Sequence, residues 1–277
     1  MRRLRQIVAG RLKGIFPESD VKILTKALCL SLPGVREQDY YLMPELPADE
    51  SRDSLLLSWT GRIASGEPLQ YVLGYTDFCG CRFKCDSRAL IPRPETTELV
   101  EWLLSGQAPE GSLLDIGTGT GCIAVSFARS MPGWKVSALD ISADALSLAR
   151  ENCLLNGVSV TLLEQDILSP ADDDAAYDCI VSNPPYIARS ESAEMERNVL
   201  DYEPHTALFV PDSDPLLFYR AIAAYARTHL HRDGSLYLEI NPLFADSLER
   251  LLDGEGFSVT FRDDISGRRR MAKAIYQ

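Results

Sequence analysis

Leu113-Leu114-Asp115-Ile116-Gly117-Thr118-Gly119-Thr120-Gly121 is an apolar run of strand length that enters three glycines spaced two apart, with a helical pattern behind it. Glycines let the backbone approach a ligand closely, and the helix N-terminus adds a partial positive charge that suits a carboxylate or phosphate. The spacing is G-x-G-x-G, not the dinucleotide G-x-G-x-x-G, which disfavours a nicotinamide or flavin enzyme. No Gly-Lys-Ser/Thr follows, so the loop is not a P-loop either.

From this stretch onward, strand patterns alternate mostly with helical ones. Apolar strands are predicted at 113–116, 136–139, 160–163, 179–181 and 236–240. That alternation gives βα units and a parallel sheet. The last two runs, 257–261 and 271–276, are expected to form an edge hairpin. The second strand ends at Asp140, where an acid can accept hydrogen bonds from both hydroxyls of a ribose. Asp166-Ile167, expected to end the third strand, can bracket an adenine with one polar and one apolar contact.

The fourth strand leads into Ser182-Asn183-Pro184-Pro185-Tyr186. Two prolines fix φ and donate no backbone hydrogen bond, so this loop is stiff and rich in acceptors. The carboxamide oxygen of Asn183 and the carbonyl of Pro184 suit the two hydrogens of a planar amino group, with Tyr186 expected to stack on its plane. Taken singly, each of these acids or turns reads as ordinary loop structure. Their succession at consecutive strand ends marks a site.

Composition bounds the alternatives. The 277 residues suffice for one large or two modest domains, and the net charge of −12 argues against gripping nucleic acid through phosphates. Seven cysteines, mostly within apolar runs, read as reduced thiols of a cytoplasmic protein. Cys79, Cys81 and Cys85 lack metal-ligand spacing and a nearby histidine, so they are expected to be structural strand residues. No apolar run is long enough to span a membrane, and Met1-Arg2-Arg3-Leu4-Arg5 lacks the apolar segment of a secretory signal. The acidic Asp172-Asp173-Asp174 reads as a solvated loop.

The first seventy or so residues read as helices. Ile7, Val8, Leu12, Ile15 and Phe16 suggest a first core helix, and Val21, Leu24 and Leu28 a second, capped by Ser19 and ended by Pro33-Gly34. A third, from about Pro47, carries Leu55, Leu56, Trp59 and Ile63 and stops at Gly66. Residues 70–84 shift toward β-branched, aromatic and cysteine residues, a candidate hairpin between two domains. Two prolines then stiffen Ile91-Pro92-Arg93-Pro94-Glu95-Thr96, and Glu95 begins an amphipathic helix.

The glycine loop, Asp140, Asp166 and Asn-Pro-Pro-Tyr together resemble the class I S-adenosylmethionine-dependent methyltransferases that act on planar nitrogens. Within them, Gly66-Glu67-Pro68-Leu69-Gln70-Tyr71, the Ile91 to Thr96 motif, and Glu203-Pro204 followed by Ala207-Leu208 are similar to the release factor glutamine methyltransferases. This resemblance implies an α/β, Rossmann-like seven-stranded sheet with its last strand antiparallel. It implies a helical substrate-recognition domain over 1–74, a hairpin linker over 75–94 and a methyltransferase domain over 95–277. S-adenosylmethionine is the implied cofactor, held by Gly117, Thr118, Gly119, Thr120, Gly121, Asp140, Asp166, Ile167 and Asn183, with no metal. Asn183, Pro184, Pro185 and Tyr186 are the implied catalytic residues.

The implied substrate is the glutamine of the Gly-Gly-Gln motif of peptide-chain release factors in the cytoplasm. Neither a membrane nor direct nucleic-acid binding is expected. The alternatives are an amino methyltransferase of DNA or RNA bases, one acting on a ribosomal-protein glutamine, or a binding module that has lost the chemistry. The chain departs from the family pattern at Thr97, usually an acid, and at Asn241, usually a glycine. Both departures are expected to lie clear of the core motifs.

Overall fold

The computed structural model describes residues 1–171 and 174–276, so Asp172 and Asp173 of the acidic run lie outside the described residues, while Asp174 is exposed. The chain divides into two compact units, Met1–Gly74 with Glu196–Tyr202, and Tyr75–Met195 with Glu203–Gln277.

The first unit holds helices α1 (Arg2–Leu12), α2 (Glu18–Leu30), α3 (Glu37–Leu42), α4 (Glu50–Ala64) and α5 (Leu69–Leu73). The short helix Arg197–Tyr202, α9 in chain order, belongs to this unit, and its Tyr202 hydroxyl donates to the Ser65 carbonyl at 3.1 Å. Leu4, Val8, Leu12, Val21, Leu28, Leu56, Ile63 and Val72 form the core. The buried face of α1 is therefore 4/8/12 and not the expected one reaching Ile15, which lies beyond the helix and is 54% exposed. Pro17, not Ser19, is the N-cap of α2, and Ser19 turns its hydroxyl to Asp20. Asp49 caps α4 by accepting from the Ser51 and Arg52 amides. Residues 70–73, expected to open the hairpin, are helical because Leu69 and Val72, three apart, pack on this core. Gly74, at φ +78, then ends α5 in the left-handed region.

The second unit begins with hairpin β1 (Tyr75–Phe78) and β2 (Cys81–Lys84). Cys79 and Gly80 both have positive φ, 47° and 72°, the two-residue turn whose twist matches the flanking strands. Cys79 is thus a turn residue and Cys85 follows β2, so only Cys81 is a strand residue as expected. All seven cysteines are free thiols. The elements that follow are α6 (Pro94–Leu104), β3 (Gly111–Ile116), α7 (Cys122–Ser130), β4 (Trp134–Asp140), α8 (Ala143–Asn156), β5 (Thr161–Glu164) and β6 (Tyr177–Ser182). Then come β7 (Ile187–Ala188), β8 (Phe209–Val210), α10 (Leu217–His229), β9 (Leu230–Glu239), α11 (Ala245–Gly254), β10 (Phe257–Asp263) and β11 (Arg269–Tyr276).

Seven strands pair in the order β10-β11-β9-β6-β3-β4-β5. β11 is antiparallel to both neighbours, and β9, β6, β3, β4 and β5 run parallel. The closing strands do form a hairpin, but only β10 takes the edge. β11 inserts beside β9 because it is buried on both faces, with Met271 on one side and Ala272 and Ala274 on the other.

The same period of two runs through the central strands. Leu114, Ile180, Leu236 and Leu238 face a cluster completed by Tyr219, Ile222, Leu248 and Leu252 of α10 and α11. Leu113, Cys179, Val181 and Tyr237 face one completed by Leu99, Leu103, Val125 and Phe127 of α6 and α7. Two covered faces explain why these strands read as unbroken apolar runs in sequence. Among the described residues, no helix is long and apolar enough to cross a membrane.

The hairpin shares this core. Phe78, Cys81 and Phe83 join the α6/α7 cluster, and Phe83 is 0% exposed. Truncating Phe83 to Ala should therefore cost about 3–5 kcal/mol of stability, read from the shift in urea midpoint. A loss of less than about 1 kcal/mol would show that the hairpin is only a surface linker.

Candidate functional site

Because β3, β4, β5 and β6 are parallel, their carboxyl ends open on one edge of the sheet. There a cavity of about 350 Å³ is lined by residues from the glycine loop, Asp140, Gln165 to Ile167, Asn183 to Pro185, and the segment through Arg93 and Thr96. Apart from Gly121 and Tyr186, the site residues predicted from four separate strand ends meet in one place.

The glycine loop is shaped by backbone ties. The Gly117 and Thr118 amides donate to the Leu139 carbonyl at 2.9 and 3.0 Å, pulling the loop against β4. Gly121 has φ +80 as the N-cap of α7, and a Cβ there would lie 3.2 Å from the Ala149 Cβ. Only glycine suits that position, which combines left-handed backbone with a close approach of α8.

Asp115, wholly buried at the end of β3, anchors the loop from beneath. Its Oδ2 accepts from the Thr118 hydroxyl at 2.6 Å and the Ala124 amide at 3.2 Å. Its Oδ1 has no hydrogen-bond partner among the described residues. Burial pushes its carboxyl up to about 7, against hydrogen bonds that pull it down.

Asp140 sits where the sequence places it, at the end of β4. Oδ2 accepts from the Gly119 amide at 2.9 Å and Oδ1 from the Ser142 amide at 3.0 Å. A carboxylate offers about four lone-pair sites, so with these two amides and that of Ile141 engaged it still keeps one for a ligand. Burial raises its pKa while these amides lower it.

Asp166 lines the cavity, but β5 ends two residues earlier at Glu164. Asp166 thus lies in a turn, where its Oδ1 accepts from the Leu168 amide at 2.9 Å. Gln165, passed over in the sequence, lines the same wall with a buried Nε2 that has no partner among the described residues. Its one signal in sequence is a polar side chain directly after a strand and beside Asp166.

Asn183 follows β6 immediately, and its Nδ2 donates to the Thr96 Oγ1 at 3.2 Å. Pro184 and Pro185 line the cavity with it. Tyr186 departs from expectation. It does not line the cavity but packs on the α10/α11 cluster, with its hydroxyl donating to Glu239 Oε1 at 2.9 Å. Burial, and next the Glu239 charge, push its phenol well above the usual range.

Thr96 and Glu239 were missed in the sequence. Glu239 ends β9, only 1% exposed, and its Oε2 accepts from the Thr96 hydroxyl at 2.6 Å. The signal was a single acid inside Leu236-Tyr237-Leu238-Glu239-Ile240, since a buried charge must find partners. Burial raises its carboxyl pKa, opposed by Thr96, Tyr186 and the Arg270 charge.

Asn241 corrects a further expectation. It does touch a core motif, since its Nδ2 donates to the Tyr186 carbonyl at 3.1 Å and to Glu191. An amide at this position does what a glycine could not. Arg93 pairs with the buried Glu203, which also accepts from the Ile91 amide at 3.0 Å. Glu203 thereby clamps the proline-rich segment that forms one wall.

The chain is similar to proteins named methyltransferases. The family described as "Methyltransferase small domain" matches residues 95–201. A protein of Bacteroides thetaiotaomicron named release factor glutamine methyltransferase is 41% identical over 277 residues, covering 99% of each chain. One of the same name from Flavobacterium psychrophilum is 40% identical, covering 96% of this chain and 95% of its own. A methyltransferase structure from Pyrococcus furiosus covers 71% of this chain and 89% of its own at 17% identity and a TM-score of 0.54, which speaks to the fold alone.

The buried Asp115 yields a test independent of any ligand. A carboxyl whose pKa rises from 3.8 to about 7 takes up a proton on folding. Its stabilising contribution is therefore full below 3.8 and is lost as pH rises through about 7. Asp115→Asn, which keeps one acceptor for Thr118 and Ala124, should flatten the fall in stability across that window in urea titrations. An unchanged slope would show that Asp115 is ionised throughout.

Proposed function

The chain belongs to the release factor glutamine methyltransferase family, and on that premise we propose that it methylates the side-chain amide nitrogen of a release-factor glutamine. The glutamine is that of the Gly-Gly-Gln motif, and S-adenosylmethionine is the methyl donor. One observation carries this reading: the left-handed glycine loop, Asp140 and Asn183-Pro184 line a single cavity.

The donor set suits S-adenosylmethionine. Asp140 keeps acceptor capacity for a ribose hydroxyl, and Gln165 Nε2, which has no partner among the described residues, is a donor awaiting an acceptor. Gly117, Thr118, Gly119 and Thr120 line the cradle, while Gly121 packs against α8, and a Cβ on Gly117 would meet nothing within 4 Å, so the approach to the loop is open. Asp166 and Ile167 are assigned to the adenine side of the cavity. The bound donor supplies an electrophilic methyl group on a cationic sulfur.

An amide nitrogen is a weak nucleophile because its lone pair is delocalised into the carbonyl. The Asn183 carboxamide oxygen and the Pro184 carbonyl are assigned the two amide hydrogens, which holds the nitrogen as it turns pyramidal and aims its lone pair. The nitrogen forms its bond to the methyl carbon while the sulfur keeps the pair of the bond that breaks. Loss of one proton to water then leaves N5-methylglutamine and S-adenosylhomocysteine. Pro185 stiffens the loop, and Tyr186 is assigned to bracing it from below instead of stacking on the substrate. A cytoplasmic setting, where release factors act, accords with seven free thiols.

Asp140 and Asn183 separate binding from chemistry. Asp140→Ala should weaken S-adenosylmethionine binding by about tenfold to a hundredfold in calorimetry. Asn183→Ala should bind it nearly normally yet transfer methyl roughly a hundredfold more slowly in single turnovers on release factor. Wild-type rates from folded Asn183→Ala would remove the amide-holding role, and unchanged affinity in Asp140→Ala the ribose assignment.

Partner choice is assigned to the helical unit, because every residue lining the cavity lies outside it. A chain beginning at Tyr75 keeps Phe83 and the hairpin in the core. It should retain cofactor affinity but methylate intact release factor poorly. Full activity of that chain would reject the assignment.

A further inference from the structure

Asn183 presents two chemically opposite ends, a carbonyl oxygen and an amino group, and only one can face a glutamine amide productively. An amino group turned toward the substrate would set donor against donor. Its orientation is therefore a requirement of the reaction proposed above, and the inference drawn here rests on that reading.

The neighbours of Asn183 decide the matter by counting protons. Glu239, buried at the end of β9, has two carboxylate oxygens and two hydroxyl neighbours, Tyr186 at 2.9 Å and Thr96 at 2.6 Å. The Thr96 hydroxyl donates its single proton to Glu239 Oε2, so it has none left to give to Asn183. The Thr96 oxygen is left with lone pairs alone. Whatever Asn183 turns toward it, at 3.2 Å, must be the amino group Nδ2. The other end, Oδ1, is thereby directed away from Thr96, and no described residue donates to it.

We infer that Thr96 and Glu239 are positioning residues for methyl transfer, forming a buried relay that locks the Asn183 carboxamide with its oxygen toward the substrate amide. The relay also polarises Asn183. An N–H donating to a hydroxyl that itself donates to a buried carboxyl oxygen gains from cooperative strengthening, and the carboxamide oxygen becomes the better acceptor. Tyr186 holds the second Glu239 oxygen, and Asn241 holds the Tyr186 carbonyl, so the anion and the Asn-Pro-Pro-Tyr loop share one set of contacts. Thr96 and Glu239 stand 143 residues apart, on α6 and at the end of β9, and are 2% and 1% exposed.

Thr96→Val keeps the shape and removes the hydroxyl. In the full-length protein it should leave the S-adenosylmethionine affinity and the KM for release factor unchanged and lower kcat about tenfold, the usual effect of one such hydrogen bond. Thr96→Ser should restore the rate to within about threefold of wild type, since the hydroxyl is what counts. In an Asn183→Ala background, Thr96→Val should cause no further loss, because the relay then has nothing to orient. Should Thr96→Val fail to fold, Glu239→Gln takes its place in the same comparison, as an amide offers one acceptor to two hydroxyls.

A wild-type kcat for folded Thr96→Val beside a slow Asn183→Ala would overturn the relay and leave the proposed reaction standing. So would fully additive losses in the double variant. A wild-type rate for Asn183→Ala would remove the amide-holding role, and the relay with it, while absence of any methyl transfer to release factor by the wild-type protein would overturn the reaction itself.

Discussion

Covering both faces of the central sheet is the constraint from which the rest of this molecule follows. Strands β3, β6 and β9 are apolar on either side, so any polar side chain among them must be satisfied inside or emerge at a strand end. Four buried polar residues illustrate this. Ser182 donates to the Ile116 carbonyl at 2.7 Å, and Asn152 holds both the Lys84 backbone and the Thr120 carbonyl. Asp115 holds Thr118 and the start of α7, and Glu239 holds Thr96 and Tyr186. Each of these four residues ties down a segment at the cavity or next to it.

That arrangement makes the site stiff without any single strong interaction. Neutral hydrogen bonds contribute only about 1 kcal/mol each, but leaving a buried donor or acceptor unpaired costs more. Displacing the glycine loop strands Asp115, and displacing the Asn183 loop strands Glu239. The cost of disorder is thus concentrated where positional accuracy matters for an in-line transfer. Of the exceptions, Gln165 Nε2 lies on the cavity wall where a ligand is proposed to bind, and Asp115 Oδ1 lies beneath the glycine loop.

Much of this was legible in the sequence because it is local. Strand, glycine loop and helix follow one another within Leu113 to Cys122, and Asn183 is set by the strand before it and the prolines after it. Boundaries suffered where local patterns were ambiguous. Residues 70–73 are helical because Leu69 and Val72 have a core to pack on, and the face of α1 falls on 4/8/12 because the helix ends before Ile15.

Sequence by itself determined the fold class, the strand ends that carry the site, and the identity of the glycine loop, Asp140 and Asn183, since each depends on residues near in the chain. Tertiary structure alone decided which side chains meet across it. Thr96 reaches Glu239 over 143 residues, Asn241 reaches the Tyr186 carbonyl over 55, and Glu203 reaches Arg93 over 110. The turning of Tyr186 from the cavity to Glu239 belongs to the same class. A pattern of hydrophobicity reports which face a residue takes, because that depends on the period of its own element. It carries no record of the partner on another element, which is settled only when the sheet and its helices close around a charge that cannot remain alone.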